Sequence, residues 1–173
     1  MPRDVFDDLA KVVPRAIAGG TSRRPAPPHR SDRPLGRRGI DLLAQVPLFS
    51  ALSRRHLRRL AEHADVAAFR EGETIVEAGQ PGGTFYVLLE GSARVVRGDR
   101  NVDRLEPGDF FGEISLLDGG PRTASVIAET PVTTIRIFKR SFDRVVADEP
   151  TVAAKILEVL ARRLREADRS IHS

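Results

Sequence analysis

Between Val66 and Phe138 the apolar residues fall in short runs of about four to seven, rich in Val, Ile, Thr, Phe and Tyr. The runs are separated by Glu71-Gly72, Gly79-Gln80-Pro81-Gly82-Gly83, Glu90-Gly91, Gly98-Asp99, Pro107-Gly108 and Asp118-Gly119-Gly120. Even spacing with glycine-rich turns predicts a β-sandwich or barrel. The last run alternates, with Thr133, Ile135 and Ile137 on one side and Thr134 and Arg136 on the other.

Helical periodicity flanks this region. Ile40, Leu42, Leu43 and Val46 precede Pro47, and Ser53 is placed to cap a helix carrying Leu57, Leu60, Ala61 and Ala64 on one stripe. After Phe138, Ser141 is placed to cap a short helix over 142–147. Pro150 then opens a long helix running to about Arg169. That helix carries two apolar strips. Ala153, Leu157, Leu160, Leu164, Ala167 and Ile171 recur at 4-3-4-3-4 spacing, a coiled-coil seam, while Val152, Ile156 and Val159 form another. One strip would cover the β-core and the other would suit the same helix of a second copy.

Residues 1–38 differ from the rest. The stretch Arg23–Arg38 has four prolines and almost nothing apolar, so it reads as a linker. Before it, Val5, Phe6, Leu9, Val12, Val13, Ala16 and Ile17 recur at helical spacing, with Pro14 interrupting and Gly19-Gly20 ending the pattern. This segment is either a loose tail or a short docking helix. The division expected is a basic tail over 1–38 and one domain over 39–173.

Charge follows that division. Nine of 28 Lys and Arg, but only four of 24 acidic residues, lie in 1–38, leaving 19 basic and 20 acidic residues for the body. The basic balance therefore belongs to the tail, and nucleic-acid binding by the body is not expected. No apolar run approaches the roughly 18 residues of a membrane span, and no secretory h-region is present, so a cytoplasmic location is expected. With no cysteine, disulfides and thiolate metal sites are excluded.

The segment from Asp109 to Val126, Asp-Phe-Phe-Gly-Glu-Ile-Ser-Leu-Leu-Asp-Gly-Gly-Pro-Arg-Thr-Ala-Ser-Val, carries the candidate chemistry. Phe110-Phe111 would end a strand, Gly112 permit a tight turn, and 113–117 form about one helical turn. Gly119-Gly120 would return the chain to a strand starting at Arg122. A helix start presents unpaired N–H groups, which suits a phosphate. An arginine returning to the same place adds a charge-assisted pair to phosphate oxygens. Glu113 beside such a site would repel an anion unless it accepted a hydrogen bond from a sugar hydroxyl. A glutamate and an arginine nine residues apart also describe an ordinary surface ion pair, and spacing alone leaves both readings open.

This segment resembles the phosphate-binding stretch of the cyclic-nucleotide-binding domain family. The resemblance extends over about 40–169 and includes Val46-Pro47-Leu48-Phe49, Gly79-Gln80-Pro81-Gly82, Phe85-Tyr86-Val87 and Leu105-Glu106-Pro107-Gly108-Asp109. The resemblance implies a mainly β fold with flanking α: a double-stranded β-helix, or jelly-roll-like β-roll, with N-terminal helices and a long C-terminal helix. It places the family's ribose glutamate on Glu113 and its phosphate arginine on Arg122. Backbone donors fall on Gly112, Ile114, Thr123 and Ala124, with Phe111 and Ser115 in the same wall. The activators' two base-binding hydroxyl residues fall on Ala167 and Asp168, a departure, with Asp168 able to accept from an adenine amino group. Thr123 hints weakly at cGMP, but cAMP is the ligand expected.

No Walker loop, G-x-S-x-G elbow or H-E-x-x-H occurs, and none of His29, His56, His63 and His172 lies in the β-rich stretch. Neither a catalytic role, a metal nor a cofactor is expected. The function expected is a regulatory sensor that signals through its C-terminal helices to an unidentified protein partner, with homodimerisation through the last helix. The alternatives are a fragment or paralogue of an activator-type regulator without its helix-turn-helix, or a nucleic-acid-associated protein acting through its basic tail.

Overall fold

The glycine-punctuated runs pair into two antiparallel sheets in the computed structural model, which describes residues 29–31 and 35–172. The strands are β1 (His29–Ser31), β2 (Asp65–Phe69), β3 (Thr74–Val76), β4 (Thr84–Glu90), β5 (Ala93–Arg97), β6 (Arg100–Leu105), β7 (Phe110–Phe111), β8 (Ser125–Ala128) and β9 (Val132–Phe138). One sheet has the order β1-β2-β9-β4-β7 and the other β3-β8-β5-β6. The helices are α1 (Arg37–Gln45), α2 (Arg54–Glu62), α3 (Glu113–Asp118), α4 (Lys139–Asp148) and α5 (Pro150–Ile171), with a 3-10 turn at Pro47–Phe49. Mainly antiparallel sheets with flanking helices and a long last helix make the expected jelly-roll architecture.

The five-stranded sheet separates two cores. Period-two alternation sends Phe85, Val87, Ile135 and Ile137 toward the helices, where they meet Leu43, Phe49, Leu57 and Phe142. Phe49 and Phe85 pack edge to face with centroids 5.6 Å apart. The other face looks into the roll, where Tyr86, Leu88 and Phe111 pack with Leu105, Val126 and Ala128. Thr134 and Arg136, the polar side of the alternating run, are buried on this interior face rather than solvated.

The helices follow the sequence pattern with two adjustments. Ser53 caps α2, its Oγ accepting from the His56 amide at 3.3 Å. Helix α4 begins at Lys139, not at 142, so Ser141 lies in its first turn and is not the cap. The Lys139 amide donates to the Gly83 carbonyl at 2.7 Å, so the turn starts where β9 leaves the sheet. Helix α5 begins at Pro150 and extends to Ile171. Its two strips diverge in part: Val152, Ile156 and Val159 are buried and Leu160 of the seam packs against the same core, whereas Leu157, Leu164 and Ile171 are 65%, 72% and 70% exposed.

Glu149, the non-helical residue between α4 and α5, is gripped from α2. His56 Nε2 and Arg59 Nε lie 3.1 and 3.2 Å from its carboxylate. Within the proline-rich stretch, β1 pairs with β2 as an edge strand, His29 opposite Ala68 and Ser31 opposite Val66. The helical pattern over 5–17 lies outside the described residues. Among the described residues, no helix is long and apolar enough to cross a membrane.

Candidate cyclic-nucleotide site

Strand β7 is two residues long, pairing Phe110 with Val87 and Phe111 with Tyr86. Gly112 then takes a left-handed conformation, φ 85°, and turns the chain into α3. A side chain is excluded there on two counts. Positive φ is strained for L-residues, and a Cβ would stand 2.5 Å from Arg122 Nη1 and 2.6 Å from the Thr84 carbonyl. The missing side chain is what lets the arginine close on the turn. Gly119, φ 69°, ends α3, and its amide donates to the Ser115 carbonyl at 2.8 Å.

The returning chain is fastened before any strand forms. The Arg122 amide donates to the Gln80 carbonyl at 2.9 Å, and the Gly79 amide to the Arg122 carbonyl at 2.8 Å. Strand β8 starts only at Ser125, three residues later than the sequence pattern placed it. The reason is that 120–122 lie against the Gln80–Gly82 turn, with Pro121 bridging Pro81, rather than against β5.

The Arg122 side chain turns inward. Its Nη2 donates to the Thr84 carbonyl at 2.7 Å, and its guanidinium carbon lies 5.8 Å from the centre of the Tyr86 ring. Nη1 is buried and has no hydrogen-bond partner among the described residues. Burial pushes this guanidinium below the usual arginine range, partly offset by Tyr86. A buried cation with an unused donor is costly unless an anion completes it.

Glu113, on the other side of Gly112, is 4% exposed. Its carboxylate pairs with Arg163 of α5, Nη1 to Oε1 3.6 Å. Sequence reasoning missed Arg163, although a signal existed. Val152, Ile156, Val159 and Arg163 are spaced 4, 3 and 4 apart, so the arginine continues the strip that is buried. Lys139 was also missed. Its Nζ donates to the Leu117 carbonyl at 3.0 Å, tying α4 to the end of α3.

The expected site residues divide accordingly. Phe111, Gly112, Glu113, Ser115 and Arg122 gather around the start of α3, and all but Gly112 and Arg122 are buried. The Ser115 hydroxyl is engaged by the Gly120 carbonyl at 3.3 Å. Thr123 and Ile114 are exposed, and Ala124 is half-buried. Asp168 stands apart on α5, 74% exposed and 3.7 Å from His172.

Comparison with known proteins bears on the fold and the family. A model of the cyclic nucleotide-binding domain matches residues 66–149. The cAMP-dependent protein kinase regulatory subunit of Aspergillus fumigatus is 40% identical over 104 residues, covering 59% of this chain and 25% of that protein. The CRP-like cAMP-activated global transcriptional regulator of Mycobacterium tuberculosis is 29% identical over 136 residues, covering 76% of this chain and 61% of that protein. The chain thus spans less than two thirds of these relatives. The crystal structure of the N-terminal domain of a transcriptional regulator from Streptomyces coelicolor superposes with a TM-score of 0.70 at 31% identity, covering 75% of this chain and 96% of that one. With the domain model matched across the roll and the fold shared with solved relatives, the chain belongs to the cyclic nucleotide-binding domain family.

Proposed function

We propose that this chain is a regulatory sensor of a 3′,5′-cyclic nucleotide, with cAMP preferred to cGMP. One observation carries the reading: Arg122 is held inside the protein with a donor unused, against the single residue, Gly112, that leaves it room. In this reading the cyclic phosphodiester completes Arg122, assisted by the amides of Gly112, Ile114, Thr123 and Ala124. A ribose hydroxyl donates to Glu113 while Arg163 orients that carboxylate. Once the C-terminal helices close over the base, Asp168 accepts from the 6-amino group of adenine, where guanine carries a carbonyl.

Signalling then runs through the C-terminal helices. Lys139 couples α3 to α4, and the Glu113–Arg163 pair couples the sugar site to α5. A nucleotide biases these helices only by binding one of their arrangements better than another. The recipient is a protein partner. The exposed Leu157, Leu164 and Ile171, spaced by sevens, pair with the same face of a second copy.

Calorimetric titration tests the nucleotide reading. Arg122→Ala is expected to lose about 2–5 kcal/mol of cAMP affinity, as for truncating one partner of a buried charge pair. Wild-type affinity retained by that variant, or tighter binding of cGMP than of cAMP, would overturn the corresponding claim. Sedimentation tests the second copy: Leu164→Glu should convert a dimer to a monomer while cAMP still binds.

A further inference from the structure

Four residues of the five-stranded sheet stand abreast on its roll-interior face. Asp65 is opposite Arg136 between β2 and β9, Arg136 is opposite Tyr86 between β9 and β4, and Tyr86 is opposite Phe111 between β4 and β7. Cross-strand partners on one face lie about 5 Å apart, so each member of such a row touches the next. Arg136 donates Nε and Nη2 to the two oxygens of Asp65 at 2.7 and 2.8 Å. It also engages the Tyr86 hydroxyl. The Tyr86 ring lies on Phe111, centroids 4.7 Å apart and planes within 9°. Tyr86 is therefore fixed at its hydroxyl and along its ring, and it is 7% exposed. The Arg122 guanidinium rests 5.8 Å from that ring.

We propose that Tyr86 is the positioning residue for Arg122, its clamped ring holding the guanidinium toward the cyclic phosphate, with Arg136 and Asp65 as the brace behind it. An aromatic face suits this task better than an acid. A carboxylate beside Arg122 would take up its N–H groups and repel the phosphate. A ring attracts the cation through its quadrupole and leaves the donors available. That matches Arg122, whose Nη1 has no partner among the described residues. The two groups also sense each other: burial raises the Tyr86 phenol above the usual tyrosine range, while Arg122 and Arg136 pull it down.

The proposal rests on Arg122 receiving the nucleotide phosphate, and a double-mutant cycle with cAMP separates the two claims. Tyr86→Leu should weaken cAMP binding about tenfold in the wild-type background. It should change affinity less than about twofold when Arg122 is already alanine. Tyr86→Phe, which keeps the ring, should stay close to wild type. Equal losses in both backgrounds would reduce Tyr86 to a packing residue and overturn the proposal. Tyr86 is the chain's one tyrosine and there is no tryptophan, so near-ultraviolet tyrosine signals report this position alone. Saturating cAMP should change the tyrosine circular dichroism band of the unmutated protein. An unchanged band, with binding confirmed by calorimetry, would also overturn the proposal, even if Tyr86→Leu fails to fold. Absence of cAMP binding by the unmutated chain would instead sink the nucleotide reading, and the positioning role with it.

Discussion

The two faces of the five-stranded sheet use the same strands for opposite chemistry. On the helix-facing side, Phe85, Val87, Ile135 and Ile137 are apolar and at 0% exposure, and their neighbours are apolar as well. On the roll-interior side the alternate positions hold Tyr86, Thr134 and Arg136, joined through Asp65 and Phe111 into a braced row that ends at Arg122. The first face contributes stability through area removed from water. The second fixes geometry, because a bidentate pair and a stacked ring each allow few arrangements. Adjacent residues of one strand thus serve different ends, and each face should fail in its own way when cut.

The largest effect is expected on the apolar face. Phe85→Ala removes a fully buried ring from contact with Phe49 and Phe110 and should lower unfolding free energy by about 3–5 kcal/mol. Denaturant melts measure that loss, and the fraction still folded should keep wild-type affinity for cAMP. Affinity falling with stability would blur the division. On the polar face, Arg136→Leu leaves Asp65 half-buried without its bidentate partner and should cost about 3 kcal/mol. Replacing Asp65 with leucine as well should recover most of that stability. It should not restore cAMP affinity to the wild-type value, because the brace on Tyr86 stays missing. Recovery of both would show that the row contributes packing alone. The smallest effect lies outside both faces: Ser53→Ala removes the α2 cap and should cost about 1 kcal/mol in the same melts.

Much of this division is legible in the chain because it depends on local periodicity. The alternation of Thr133 to Ile137 states which residues share a face, and the heptad spacing of α5 separates its exposed leucines from its buried valines. The turn chemistry around Gly112 is equally local. What escapes is set by partners distant in sequence. Alternation separates Arg136 from Ile135, but only pairing with β2 brings Asp65 to it, 71 residues away. Arg163 meets Glu113 only once α5 has folded back across the roll. The starts of α4 and β8 moved for a related reason, since backbone hydrogen bonds from the Gln80–Gly83 turn decide where each begins. A three-residue edge strand such as β1 carries almost no pattern of its own and exists through β2.

The proportions of α5 have a mechanical consequence. Its 22 residues make a rod of about 33 Å. Its buried residues end at Val159, with Arg163 the last side chain that is not exposed. The remaining stretch is a lever whose fulcrum is the last buried turn, at Val159. A rotation of about 20° at that fulcrum carries Ile171, about 18 Å away, through about 6 Å. A rearrangement too small to disturb the roll becomes, at the far tip, a displacement comparable to one full helical turn.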